Sequence, residues 1–116
     1  MRVTGKIDYV ELPATDMAAS RRFYAEAFGW RFTDYGPTYA AFDEGLQGGL
    51  QADPAERPAA PLMVLYAEDL DAMLLKVSAA GADVTRPIFG FPGGRRFHFR
   101  DPAGMELAVA SYDPAG

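Results

Sequence analysis

Five residues have side chains suited to chemistry: Tyr9 and Glu11 near the start of the chain, and Arg96, His98 and Glu106 near its end. His98 is the only histidine. Its imidazole is the one side chain whose ordinary pKa lets it take and return a proton near neutrality, which makes it the catalytic candidate. Arg96 stands two positions earlier, so on a strand the two share a face while Phe97 and Phe99 take the other. A guanidinium can grip a carboxylate or phosphate through two parallel hydrogen bonds. Tyr9 and Glu11 share a strand face by the same alternation, and Glu106 shares one with Ala108. Each residue also has a plain structural reading. Arg95, Arg96 and Arg100 suit a charged strand edge that discourages pairing with other chains. Glu106 can pair with Arg100 across a hairpin, His98 can be a solvated strand residue, and Tyr9 can be a core phenol.

The elements that must position these groups can be read in order. Lys6 to Leu12 reads as a strand ended by Pro13, which has no N–H for a ladder. Asp16 is an N-cap for a helix whose stripe is Met17, Ser20, Tyr24 and Ala27–Phe28, with Gly29 as its left-handed stop. Trp30 to Thr33, Tyr39 to Phe42 and Leu46 to Gln51 read as three short strands separated by turns. Ala52 to Pro61 holds three prolines among small residues and reads as a linker. The pattern then repeats. Pro61 to Tyr66 is an apolar strand, and Asp69 caps a helix with the stripe Leu70, Met73, Leu74, Val77 and Ala80, stopped at Gly81. Asp83 to Thr85 is a strand broken by Pro87, and Ile88 to Pro92 is an aromatic, glycine-rich turn region. Arg96 to Arg100 and Met105 to Ser111 are strands joined by the turn Asp101-Pro102-Ala103-Gly104.

Asp69 follows Asp16 by 53 positions and Gly81 follows Gly29 by 52. A period near 50 over the whole chain marks a duplicated β-α-β-β-β unit. The expected organisation is one domain over 1–116, with units at 6–51 and 62–111 and a linker at 52–61. A chain of 116 residues with 49% hydrophobic and 13% aromatic residues can bury a core without staples. The net charge of −5 excludes a bulk electrostatic grip on nucleic acid or an anionic membrane. No stretch reaches the roughly 20 apolar residues of a membrane span. Residues 1–6 lack the apolar run of a signal peptide, so a cytoplasmic location is expected. With no cysteine, disulfides and thiolate metal sites are absent.

The doubled unit, the helix ending Phe23-Tyr24 to Phe28-Gly29-Trp30 and the late Phe99-Arg100-Asp101-Pro102-Ala103-Gly104 together resemble the vicinal-oxygen-chelate superfamily of glyoxalases, bleomycin-resistance proteins and extradiol dioxygenases. Gly48-Gly49 and Pro92-Gly93-Gly94 look most like its glyoxalase-like branch. The resemblance implies an α+β fold in which two tandem βαβββ units form a curved eight-stranded sheet around a cavity, with the helices outside. It also implies a homodimer, and in metal-using members a cavity where His, Glu or Gln side chains hold a divalent ion.

By the same resemblance the ligand positions fall at Tyr9, Leu62 and Ala108, with a further one near Gly48-Gly49. A neutral phenol is a poor ligand and the others offer no donor atom, so no metal and no cofactor is expected. The family parity then turns Tyr9, Glu11, Arg96, His98 and Glu106 inward as ligand-binding residues. Three functions fit: a metal-independent protein binding a small, anionic or hydroxylated molecule; a lyase or isomerase using His98 with Arg96 as anion clamp; and a metal-dependent glyoxalase or dioxygenase. Phe89, Phe91 and Pro92 read as a packed loop or an apolar lid.

Overall fold

The computed structural model describes residues 2–114. The chain is α+β, with ten elements in the order of two βαβββ units. It divides into two compact bodies. The N-terminal unit runs from Tyr9 to Leu62; the C-terminal unit takes the residues from Met63 onward together with those up to Asp8.

In the N-terminal unit, β1 (Ile7–Pro13) leads to α1 (Met17–Phe28), β2 (Thr33–Asp34), β3 (Tyr39–Asp43) and β4 (Gln47–Gln51). The first two residues of β1 group with the other unit. The strand order is β2-β3-β4-β1, with β1 parallel to β4 and the other pairs antiparallel. The Asp16 carboxylate accepts the Ala19 N–H at 3.0 Å and starts α1. Gly29, at φ 72°, ends it by donating its N–H to the Ala25 carbonyl. Val10, Ala40, Phe42 and Leu50 fill the buried face of this sheet. They are joined by rings rather than by a helix stripe: Trp30 stacks on Tyr24 at 4.6 Å and reaches Phe42 at 4.7 Å. This differs from the expected apolar stripe, because no residue of α1 is buried and Phe23 and Phe28 are 57% and 65% exposed. It also explains why β2 is shorter than Trp30–Thr33: Trp30 and Phe32 go to the ring cluster, and only Thr33 and Asp34 pair with β3.

Gly48 and Gly49 are glycines for want of room. A Cβ on Gly48 would meet the Phe42 ring and the Val10 carbonyl, and one on Gly49 would meet the Tyr39 phenol. Residues 52–61 form no strand or helix, as the prolines imply. They turn about Asp53, whose carbonyl accepts the Arg57 N–H at 2.7 Å, and they group with the N-terminal unit.

In the C-terminal unit, β5 (Leu62–Tyr66), whose first residue groups with the other unit, leads to α2 (Leu70–Ala79), β6 (Asp83–Phe91), β7 (Gly94–Arg100) and β8 (Glu106–Tyr112). The order is β5-β8-β7-β6, with β5 parallel to β8. The Asp69 carboxylate accepts the Ala72 N–H at 3.0 Å, as Asp16 does for α1. Here the helix buries Leu70 and half-buries Met73, Leu74 and Val77, while Ala80 at its end is exposed. Ala67, Leu70, Phe97 and Val109 form a closed cluster, with Met73, Leu74, Val77, Ile88 and Phe99 packed on it. Phe97 is fully buried, so β7 is pinned with its phenylalanines toward α2 and its alternate residues on the opposite face.

The largest departure from expectation is β6. Pro87 does not break it; the strand runs on to Phe91. Its register against β7 slips twice, between Val84 and Arg86 and between Arg86 and Phe89. Each slip inserts one extra residue, a β-bulge. Pro87 sits inside the second slip, between Arg86 and Phe89, where a missing N–H is tolerated.

Candidate functional site

The face of the C-terminal sheet opposite α2 carries the charged chemistry. Cross-strand register sets His98 beside Ala108, Arg96 beside Ala110 and Arg86 beside His98. Glu106 faces Arg100 in the ladder, yet its carboxylate turns to its neighbours on the face instead. Glu106 Oε2 lies 3.3 Å from His98 Nδ1 and accepts the Thr85 hydroxyl at 3.0 Å. Arg96, His98 and Glu106 are thus brought together. Arg95 belongs to the outer surface, paired with Asp71 at 3.1 Å.

His98 is only 8% exposed. Burial pushes its imidazole below the ordinary value, and the positive charges of Arg96 and Arg86 push the same way against the opposing pull of Glu106. It is therefore neutral at neutral pH. With Nδ1 beside a carboxylate, the proton belongs on Nδ1, which donates to Glu106 and leaves Nε2 with its lone pair. Nε2 is buried and has no hydrogen-bond partner. A neutral, oriented imidazole with a bare buried nitrogen is an acceptor for a proton or a hydrogen-bond donor of a bound molecule.

Rings surround these charges. The Arg86 guanidinium lies 3.5 Å and that of Arg96 5.4 Å from the centre of Phe89. Phe89 is 5.6 Å from the His98 ring. Tyr66 and Tyr112 stack at 6.2 Å on the same face. Arg2 lies 4.0 Å over Tyr112 and is held by Asp8 at 2.7 Å. Burial is the main cause of the raised pKa of the Tyr112 phenol. Phe89 and Phe91 are β6 strand residues and not a loop.

Tyr9 and Glu11 are in the N-terminal unit. They share a face with Tyr39, Ala41 and Gly49. The Tyr9 and Tyr39 hydroxyls hydrogen-bond to each other, and the bare Gly49 leaves the space that Tyr39 occupies. Glu11 is 3% exposed. Two open depressions also belong to this unit. One, of about 530 Å³, runs beside α1 past Arg21, Arg22, Trp30 and Arg31. The other, of about 450 Å³, lies at the β3–β4 turn and includes Tyr9. Neither includes Arg96, His98 or Glu106.

A divalent ion does not fit the donor set. The Tyr9 phenol is engaged with Tyr39, and Leu62 and Ala108 are buried apolar residues. Among the described residues no three His, Cys, Asp or Glu side chains gather. The one histidine has two guanidiniums for neighbours, which repel a cation.

Sequence reasoning missed Thr85, Arg86, Tyr39, Tyr66 and Tyr112 as parts of these faces. Pro87 inside an otherwise strand-like run was the available signal, since proline within a sheet marks an edge or a bulge. Tyr39 could have been suspected from the glycine pair, which marks a close approach.

The family described as the glyoxalase/bleomycin resistance protein/dioxygenase superfamily matches residues 6–109. A provisionally named glyoxylase, CFP32, of Mycobacterium bovis is 31% identical over 119 aligned positions, covering 90% of this chain and 45% of that protein. A stretch of 48 residues is 48% identical to N-(5'-phosphoribosyl)anthranilate isomerase of Bordetella bronchiseptica, covering 38% of this chain and 22% of that protein. The Mn(II)-bound glyoxalase of Novosphingobium aromaticivorans superposes with a TM-score of 0.65 at 27% identity, covering 98% of this chain and 43% of that one. The chain spans less than half the length of each of these three.

Proposed function

Starting from a chain that belongs to the glyoxalase/bleomycin resistance protein/dioxygenase superfamily, we propose that it binds a small anionic molecule on the charged face of its C-terminal unit, without a metal triad. The observation that carries this is the buried, partnerless Nε2 of His98 on the same face as the Arg96 guanidinium. Arg96 supplies charge and paired donors for a carboxylate or phosphate, and Nε2 accepts a hydrogen bond from the ligand. Phe89, Tyr66 and Tyr112 supply apolar walls. A thermal-shift screen of carboxylates and phosphate esters tests it. Wild-type protein should be stabilised by at least one anionic compound, with the shift lost in Arg96→Gln. A compound that stabilises wild type and Arg96→Gln equally would place binding elsewhere and contradict the assignment.

A second reading, a lyase or isomerase, is favoured by one specific feature: Glu106, itself held by the Thr85 hydroxyl, holds the imidazole by its other nitrogen. That arrangement suits a base. Nε2 would take a proton from a carbon or hydroxyl of the bound anion, Glu106 would stabilise the imidazolium formed, and the proton would return to the rearranged product. This reading predicts that His98→Gln abolishes solvent-proton exchange into the bound compound while Arg96-dependent binding persists. Unchanged exchange in His98→Gln would sink it.

A further inference from the structure

The depression beside α1 is lined by side-chain donors without acceptors. Ala18, Arg21, Arg22 and Ala25 stand at i, i+3, i+4 and i+7 on α1, so they share one helix face. The two alanines keep the helix surface low between the arginine stems. The segment after the helix raises the other wall with Trp30, Arg31 and Phe32. Arg21 is fixed as part of the rim, bound to Asp34 at 2.6 Å and lying 5.7 Å over the Phe32 ring. The remaining polar groups are not engaged. Among the described residues the guanidiniums of Arg22 and Arg31 form no ion pair or hydrogen bond, and the indole N–H of Trp30 has no acceptor. Both wall residues are nonetheless held in place. The Arg31 backbone N–H donates to Glu44 at 3.0 Å, and Trp30 has Tyr24 and Phe42 as ring neighbours at 4.6 and 4.7 Å. Among the described residues no carboxylate or hydroxyl side chain lines the depression.

We propose that this depression is a second binding site, outside the sheet, for a small oxyanion carried on an apolar body about the size of an aromatic ring. Arg22 and Arg31 take the carboxylate or phosphate group, whose geometry the guanidinium fork matches, and the Trp30 N–H adds a third donor. Phe32, Ala18 and Ala25 provide the apolar surface for the body. At about 530 Å³ the space exceeds what a bare oxyanion fills and falls within the usual range of small-molecule sites. The charge argument is local. In a chain of net charge −5, three guanidiniums gather here and only Arg21 is neutralised, by Asp34. Glu26, one helical turn from Arg22, does not pair with it among the described residues. The site lies wholly in the N-terminal unit and is independent of the charged face around His98, so either can fail without the other.

Trp30 is the only tryptophan, so its indole N–H gives one NMR resonance that reports on this wall alone. The full chain is titrated at constant ionic strength with benzoate, phenyl phosphate, acetate, inorganic phosphate and benzyl alcohol. Benzoate or phenyl phosphate, or both, should move the indole resonance saturably, at concentrations about tenfold below those needed with acetate or inorganic phosphate, because the ring adds apolar burial. Benzyl alcohol should not move it. A response to only one of the aromatic anions identifies the charged group as carboxylate or phosphate. Arg22→Gln and Arg31→Gln, both at exposed positions, should each weaken binding about tenfold, and the lysine variants should keep part of it. Arg96→Gln should leave it unchanged. The site is wrong if neither aromatic anion moves the indole, if benzyl alcohol does so equally well, or if the folded double variant Arg22→Gln/Arg31→Gln binds as wild type does. It is also wrong if the resonance follows protein concentration and not added anion, which would show a second copy of the chain covering the depression.

Discussion

The two units share one plan and spend it differently. Each has a first strand parallel to its last, an Asp-capped helix and a turn glycine after it. In the C-terminal unit the helix is a structural partner of the sheet, with Leu70 and Phe97 closed into one core and the opposite face left to charges. In the N-terminal unit the helix buries no residue, rings link it to the sheet, and the opposite face holds a tyrosine pair over a glycine and one buried glutamate. The duplicated backbone thus fixes where side chains point and leaves open what they do. Charge can be concentrated on one face of the C-terminal sheet because its other face is so firmly packed.

The largest effect that follows is on packing. Phe97→Ala should destabilise by about 3–5 kcal/mol, the range for deleting a buried aromatic side chain. Phe28→Ala, at a ring 65% exposed on α1, should stay within about 0.5 kcal/mol. Urea unfolding of the two variants measures both. Equal losses would mean that α1 is as integral to its unit as α2 is to the other.

A smaller effect is expected from Gly49→Ala. Its Cβ would meet the Tyr39 phenol and force the Tyr9–Tyr39 pair apart. Overpacking of this kind costs roughly 1–3 kcal/mol. Gly49→Ala with Tyr39→Phe should recover little, since the ring remains, whereas Tyr39→Ala with Gly49→Ala should recover most. Full recovery with phenylalanine would show that the hydroxyl pair, and not the ring volume, demands the glycine.

The smallest effect is on pH dependence and separates the two faces by charge. The folded-state pKa of His98 is lowered below the ordinary 6.5, chiefly by burial. As the pH falls below about 6.5 the unfolded chain takes up a proton that the folded chain resists. The contribution to stability is therefore constant above that pH and is lost as the pH falls from it through the folded pKa. His98→Gln should flatten the stability profile in that window, as read by melting temperature between pH 7.5 and 5. An unchanged profile would mean that the imidazole titrates alike in both states.

Much of this was legible in the chain because it rests on local signals. Asp16 and Asp69 cap their helices through backbone N–H groups three residues on, and Phe97 and Phe99 betray the parity of β7 by simple alternation. Arg96, His98 and Glu106 followed from that parity. What was not legible depends on pairing between distant segments. Pro87 reads as a break, yet the ladder from Gly94 to Arg100 holds β6 together across two bulges, and the first of them turns Arg86 to the face where alternation already puts Thr85. The exposed α1 was hidden for a related reason. Its stripe is helical in spacing, but Trp30 and Phe32 from the following segment take the place against Phe42.

The central claim is that the C-terminal face holds a neutral, oriented histidine beside an anion clamp. It is tested most directly by 15N NMR of the one imidazole, at neutral pH and during acid titration, in wild type and in Arg96→Gln. The account predicts the tautomer protonated on Nδ1, a pKa below 6.5, and a rise in that pKa when Arg96 is neutralised. An imidazole that titrates at or above 6.5 and ignores the loss of Arg96 would contradict it.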